Sequence, residues 1–244
     1  MPSMSAPSTT SLHNGDPVVA WDGVDTVLVD MDGTLLDLAF DNYFWTEFIP
    51  AHYAQVRGVR EKDARETLLD RYRSIEGRLA WYCIDHWSEA LDLDIRALKR
   101  TQRHRVRYLP GATDFLAWLR EMGKRVLLVT NAHPYTLALK VAETGLDARV
   151  DEMVSSHSFD APKETRRFWE RFHAEEPFDP RRTVLIEDSL PVLQAATEFG
   201  LASTVAIRRP DSRRPPRQID GYPSVDGVHE LPLPQDPQCH LGWR

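Results

Sequence analysis

The sequence predicts an α/β fold, a doubly wound parallel sheet with an all-helical cap inserted after its first strand. Three observations predict it. Four short apolar runs, Thr26–Val29, Val126–Val129, Thr183–Ile186 and Thr204–Ile207, each end in polar residues. Helical patterns alternate with the later three runs. Residues 37–108 break that alternation, with helical segments and no good strand.

Each element has a local reason. The four runs are short, β-branched and nearly continuous, which suits strands buried on both faces of a parallel sheet. A weaker run, Val150–Val154, is a further strand candidate. Residues 112–122 place Phe115, Leu116, Trp118 and Leu119 at helical spacing, and Gly123 stops them. Residues 134–144 open on Pro134 and close on Gly145. Residues 163–174 carry Phe168, Trp169 and Phe172, and 191–199 end before Gly200. This β-α alternation is the pattern of a Rossmann-like sheet. Within 37–108, helices are expected near 42–56, 61–76, 78–91 and 94–106, with Pro50 bending the first. The α/β core is therefore expected at 18–36 and 109–209, and the helical cap at 37–108. An insert there overhangs the sheet edge where α/β folds bind ligands, which makes it a lid.

Composition narrows the classes. The 244 residues carry a net charge of −7, so a general nucleic-acid binder is disfavoured. Two distant cysteines, Cys83 and Cys239, exclude a disulfide scaffold and fit a reducing cytoplasm. No apolar run approaches the ~18 residues of a membrane helix. Residues 1–20 hold no Lys or Arg and no apolar segment of the secretory kind. Residues 1–17 are small, polar and aperiodic and are expected to be a disordered tail. Residues 210–244 hold seven of the 17 prolines and show no strand or helix period. They are expected to be a Pro-rich tail that wraps the surface or stays mobile.

The chemistry lies in short strings. Asp30-Met31-Asp32-Gly33-Thr34 follows the first strand, and residues two apart in extended chain point the same way. Thr130-Asn131 ends the second strand before a helix, a natural phosphate cradle. Lys163 follows Pro162 ahead of another helix, and Glu187-Asp188-Ser189 ends a further strand. Any one of these is ordinary: an Asp-Gly turn, a helix cap, a solvated lysine. Together, on one edge of one sheet, they form a site for a hard cation and a phosphate.

The order DMDGT, LLVTN, PK and LIEDS resembles the haloacid dehalogenase-like superfamily of phosphohydrolases over about residues 24–207. The longer strings DMDGTLLDLAFDNYFW, WYCIDHWS, TNAHP and ETGLD resemble its bacterial GMP/IMP nucleotidases. The resemblance implies Asp30 as nucleophile and Asp32 as general acid and base. It implies Mg²⁺ held by Asp30, the Asp32 backbone carbonyl and Asp188, with Glu187 a direct or a water-mediated ligand. It implies Thr130 and Asn131 as phosphate holders and Lys163 as the neutralising cation. Asp32 points away from dehalogenation, which lacks that second acid. The implied substrate is a small phosphomonoester, a purine nucleoside monophosphate (GMP or IMP), handled without nucleic-acid or membrane partners by a monomer or small homo-oligomer.

The cap helices carry aromatic stripes, which read first as bundle core. A purine still needs a flat aromatic face and polar edge contacts, and Asn42, Arg78 and Tyr82 are the candidates. His133 and His157 read as structural or exposed, because no metal-ligand spacing joins them, and Cys83 reads as core. Other readings stay open: a phosphatase or phosphomutase for a sugar phosphate, phosphoglycolate or FMN, and a non-catalytic signalling or partner-binding relative. Receiver modules share the Asp, Thr and Lys but are shorter and lack the helical insert.

Overall fold

The structure, a computed structural model, describes residues 18–232. Six strands form one sheet: β1 (Thr26–Val29), β2 (Arg125–Thr130), β3 (Glu152–Ser155), β4 (Thr183–Glu187), β5 (Ser203–Ile207) and β6 (Ser224–Val225). Their order is β3-β2-β1-β4-β5-β6, with every pair parallel. The chain runs outward from β1 to β2 and β3, then returns past β1 and runs the other way through β4, β5 and β6. That reversal places a topological switch point between β1 and β4, where the carboxyl ends of the strands leave a crevice.

Both faces of the sheet are covered, which is why the strand sequences are apolar without interruption. Val27, Val29, Val126, Leu128, Val184 and Ile186 point to one side and pack with Trp21, Phe115 and Leu119. Leu28, Leu127, Val129 and Leu185 point to the other and pack with Phe168, Trp169, Phe172 and Leu193.

The cap runs α1 (Ala39–Tyr43), α2 (Ile49–Arg57), α3 (Glu61–Ser74), α4 (Leu79–Tyr82), α5 (Ile84–Leu91) and α6 (Ile95–Thr101). A π-helical turn, Phe44–Phe48, joins α1 to α2. The irregularity expected from Pro50 takes this form. Proline has no N–H to donate back to Thr46, and Ile49 N–H bonds Phe44 O in the wider pattern. The expected helix 78–91 is two helices broken at Cys83. That residue is extended, with φ −85° and ψ 110°, and its sulfur accepts from His86 N to cap α5. Phe44, Ile49, Leu68, Tyr72, Trp87 and Ile95 form the cap's own core, so most of the aromatic stripe is packing.

The core continues with α7 (Ala112–Glu121), α8 (Pro134–Thr144), α9 (Arg166–Glu175) and α10 (Leu190–Phe199). Helix α9 starts three residues later than expected. Thr165 caps it, with Oγ1 accepting from Phe168 N, and Lys163 and Glu164 are left in the loop before it.

Residues 210–232, expected to form a tail that wraps the surface or stays mobile and holds no strand, are instead part of the core. Ser224–Val225 adds a sixth parallel strand to β5, and Val228 and Leu231 are buried. Trp21 Nε1 donates to Leu231 O at 3.0 Å, so this segment closes the edge of the core. A two-residue strand carries too short a period to be read from sequence. The tail 1–17, the residues 233–244 and Cys239 lie outside the described residues. Among the described residues, no helix is long and apolar enough to cross a membrane.

Candidate active site

The switch point gathers the motif residues. Asp30 follows β1 directly, and its N–H donates to Ile186 O on β4, which fixes it beside the end of that strand. Lys163 is only 1% exposed. Its ammonium lies 2.5 Å from Asp30 Oδ1, 2.7 Å from Glu187 Oε2 and 2.8 Å from Val129 O. A buried lysine survives only when paired, and here the partners come from three neighbouring strands.

One ammonium faces three carboxylates. Asp30, Glu187 and Asp188 each place a carboxylate oxygen within 4.8 Å of the others. Burial, together with the neighbouring Glu187 charge, pushes Asp30 up to about 8. Burial pushes Glu187 up to about 7 against the pull of Lys163. Burial and Asp30 push Asp188 up to about 7. Three crowded acids with Lys163 buried among them and Arg217 3.7 Å from Asp188 Oδ2 at the rim are still short of positive charge, and a small divalent ion bound by oxygen is the kind of group that fits. Glu187 spends its oxygens elsewhere: Oε1 accepts from the N–H groups of Asp188 and Ser189 at 3.1 Å, and Oε2 takes Lys163. Asp188 is the less committed acid.

Gly33 makes this crowding possible. It adopts φ +92°, and a Cβ there would lie 2.8 Å from Pro210 Cβ and 2.9 Å from Asp188 Cγ. Gly33→Ala therefore combines backbone strain with a steric clash and should cost about 1–3 kcal/mol. A thermal melt that superimposes on the parent's would contradict this.

Asp32 turns elsewhere. Its carboxylate is not in the three-acid group; Oδ1 lies 2.5 Å from Lys140 Nζ on α8. Lys140 also holds Asp41 Oδ2 of the cap at 2.5 Å, and Asp41 Oδ1 holds Lys99 at 2.9 Å. Burial raises Asp32 above the ordinary carboxylate range, against the Lys140 charge. The two lysine charges draw Asp41 down to about 2 despite its burial. This alternating chain of charges ties the second aspartate to the hinge side of the cap. Lys140, Asp41 and Lys99 carry no motif, and only the apolar flanks of Lys140 in sequence hint that a lysine there needs buried partners.

Thr130 and Asn131 lie buried at the end of β2. Thr130 Oγ1 accepts from Ala132 N at 3.0 Å. Asn131 braces the lysine loop, since its Oδ1 accepts from Lys163 N at 2.9 Å and its Nδ2 donates to Glu164 Oε2 at 2.9 Å. Tyr82 of the cap donates its hydroxyl to the other oxygen of Glu164. Of the three cap candidates, Tyr82 is the one the fold brings to this edge. Asn42 is engaged by Asp211 at 2.8 Å, and thus joins the cap to the C-terminal segment. Arg78 is exposed before α4 and makes no side-chain hydrogen bond among the described residues. Glu164 and Arg217 were missed in the sequence. Arg217 donates to Asp188 O at 2.6 Å, from the segment expected to be loose.

The histidines are also placed differently from the expectation. Cys83, His133 and His157 come together at the cap–core boundary, with ligand atoms within 4.8 Å of one another. Cys83 is half-buried rather than core. Burial pushes His157 down to about 4 and lowers His133, so both rings are neutral near pH 7.

A parallel sheet with its acids, lysine and hydroxyl gathered at the switch point, beneath an all-helical cap inserted after β1, defines a capped α/β hydrolase. Residues 24–200 match the haloacid dehalogenase-like hydrolase family, and the chain belongs to it. It is 41% identical over 213 residues to the GMP/IMP nucleotidase YrfG of Escherichia coli, covering 87% of this chain and 96% of that one. The same values hold for the protein of that name in Shigella flexneri. Among solved structures, a HAD phosphatase from Thermococcus onnurineus superposes with TM-score 0.72 at 23% identity, covering 85% of this chain and 96% of that one. An L-2-haloacid dehalogenase from Xanthobacter autotrophicus superposes with TM-score 0.59 at 16% identity, with the same coverages. These two likenesses show the fold.

Proposed function

We propose that the chain is a Mg²⁺-dependent 5′-nucleotidase of the cytoplasm that dephosphorylates purine monophosphates, GMP and IMP foremost. The reaction rests on one observation: Asp30, buried at the switch point, is held by Lys163 beside Glu187 and Asp188. The substrate rests on the nucleotidase relative and on Tyr82, which brings a cap aromatic to the same edge.

Asp30 attacks phosphorus and becomes an aspartyl-phosphate while the nucleoside oxygen leaves. Asp32 protonates that oxygen, then takes a proton from the water that cleaves the acyl phosphate. Burial raises its pKa, which favours protonation, and its carboxyl reaches the leaving oxygen by releasing Lys140. Lys163 neutralises the Asp30 carboxylate and the transferring phosphoryl group. Thr130 and Asn131 hold phosphate oxygens, and Asn131 also keeps Lys163 in register. Asp30, the Asp32 carbonyl and Asp188 would hold Mg²⁺, with Glu187 acting through Lys163 or a water. When bound, the ion offsets the repulsion between the carboxylate and an anionic phosphate. The cap excludes water and selects the leaving group.

The test is phosphate release across nucleoside monophosphates, sugar phosphates, phosphoglycolate and FMN. GMP and IMP should lead by about tenfold or more in kcat/KM. Chelation should abolish release and Mg²⁺ should restore it. A hexose phosphate or phosphoglycolate ahead by orders of magnitude would end the nucleotide reading and leave the phosphatase reading intact.

A further inference from the structure

Cys83 opens α5 in the cap, whereas His133 opens α8 and His157 lies in the turn after β3, both in the core. No part of the mechanism above uses them. They are separated by 50 and 24 residues in sequence, yet their ligand atoms lie within 4.8 Å of one another. The two imidazole rings meet edge to face, with centroids 5.1 Å apart. His157 Nε2 is buried and has no hydrogen-bond partner among the described residues. Such a nitrogen forgoes a bond that buried polar groups nearly always make. Asp85 adds an oxygen 3.5 Å from His133 Nε2, and Arg96 holds that carboxylate in place through two hydrogen bonds at 2.9 and 2.7 Å. His133 Nδ1 accepts from Tyr135 N at 3.2 Å, so the neutral ring carries its proton on Nε2, beside Asp85.

We infer that Cys83, His133 and His157, with a water as the fourth ligand, form a zinc site that clasps the cap to the core. One thiolate and two imidazoles are the donors that borderline-soft Zn²⁺ prefers, whereas the all-oxygen group at Asp30 and Asp188 suits a hard ion. Zn–S bonds near ~2.3 Å and Zn–N bonds near ~2.0 Å require a modest contraction of the cluster. Binding releases the Cys83 thiol proton to solvent and moves the His133 ring proton from Nε2 to Nδ1, where it replaces the bond from Tyr135; His157 Nε2 binds as it stands, and no electron is transferred. Because one ligand is in the cap and two are in the core, the bound ion resists cap opening. It therefore holds back substrate entry and product release. Zinc binding stands independently of the substrate assignment, and only the effect on turnover rests on it.

The test uses the full chain, with excess Mg²⁺ present to occupy the oxygen site. Equilibrium dialysis with Zn²⁺ should give about one ion per chain, and Cys83→Ser should weaken binding about 100-fold or more. Co²⁺ in place of Zn²⁺ should show a thiolate charge-transfer band in the parent chain, which needs no variant to fold. His157→Gln should weaken binding while the thiolate band of any residual cobalt persists. Zn²⁺ should slow the parent's phosphate release about tenfold, Mg²⁺ should not relieve it, and Cys83→Ser should be insensitive. Absence of the thiolate band, or equal zinc affinity in parent and Cys83→Ser, would overturn the site. Equal inhibition of parent and Cys83→Ser would overturn the clasp.

Discussion

Asp30→Asn should fold as the parent does and lose phosphate release by about a thousandfold or more. An amide oxygen is a poor nucleophile toward phosphorus, and the other carboxylate on Lys163, that of Glu187, has its oxygens engaged by Lys163 and by the N–H groups of Asp188 and Ser189. The stability expectation follows from linkage. Asp30 is raised in the folded state to about 8, against ~3.9 in the unfolded chain. A group shifted that way contributes fully below the unfolded value and loses its contribution as pH rises through the folded value. At pH 7 the metal-free chain is inside that window, so replacing the acid with a neutral amide leaves the melting temperature unchanged or raised. Thermal melts in chelator and phosphate release with Mg²⁺ are the two measurements. Parent-like turnover in a well-folded Asp30→Asn protein would remove Asp30 as nucleophile. Asp32→Asn makes the companion measurement: turnover should fall severely, yet phosphoenzyme should still form from substrates with activated leaving groups, which need no proton on departure.

Lys163→Met should be the most destabilising of the substitutions considered, by about 3–5 kcal/mol, and should also abolish turnover. Methionine nearly fills the space but leaves Asp30 and Glu187 without their shared cation in a buried crevice. It also leaves the Val129 carbonyl without its donor. The loss should shrink as pH falls. Without the ammonium the carboxyls rise further above their unfolded values, so the folded form takes up protons that relieve the repulsion. Denaturant unfolding of parent and variant between pH 5 and 8 checks this, in roughly the range set by values near 7 and 8. A difference between the two proteins that is independent of pH would mean that lost packing, and not lost charge, is the cause.

How far the sequence could be read depended on how local each signal was. The strands were legible because burial on both faces leaves an unbroken apolar run, and Leu28 and Val29 reach opposite cores from one such run. That Asp30, Thr130 and Asp188 stand at one sheet edge was legible because each is set by its distance from a strand end; that the Asp32 carboxylate turns away to Lys140 was not. Helix α8 was read to the residue, since Pro134 and Gly145 mark both ends chemically. The strand β6 was missed because two residues carry no period, and Arg217 was missed with it. Asn42 was expected to face substrate, but a cap residue's partner depends on where the C-terminal segment crosses it, and Asp211 lies there.

By itself, then, the sequence determined the parallel sheet, the helical cap and the positions of the candidate acids and lysine at the ends of strands and the starts of helices. Those follow from apolar periodicity and from motif positions tied to strand ends, both of which are local properties of the chain. Only the tertiary structure decided that Lys163 is shared between Asp30 and Glu187, that Lys140 links Asp32 to Asp41 across the hinge, and that Cys83 meets His133 and His157. Each of these depends on how elements far apart in sequence are oriented when they pack. Burial then removes water from the charges and leaves them to one another, and no spacing along the chain records that outcome.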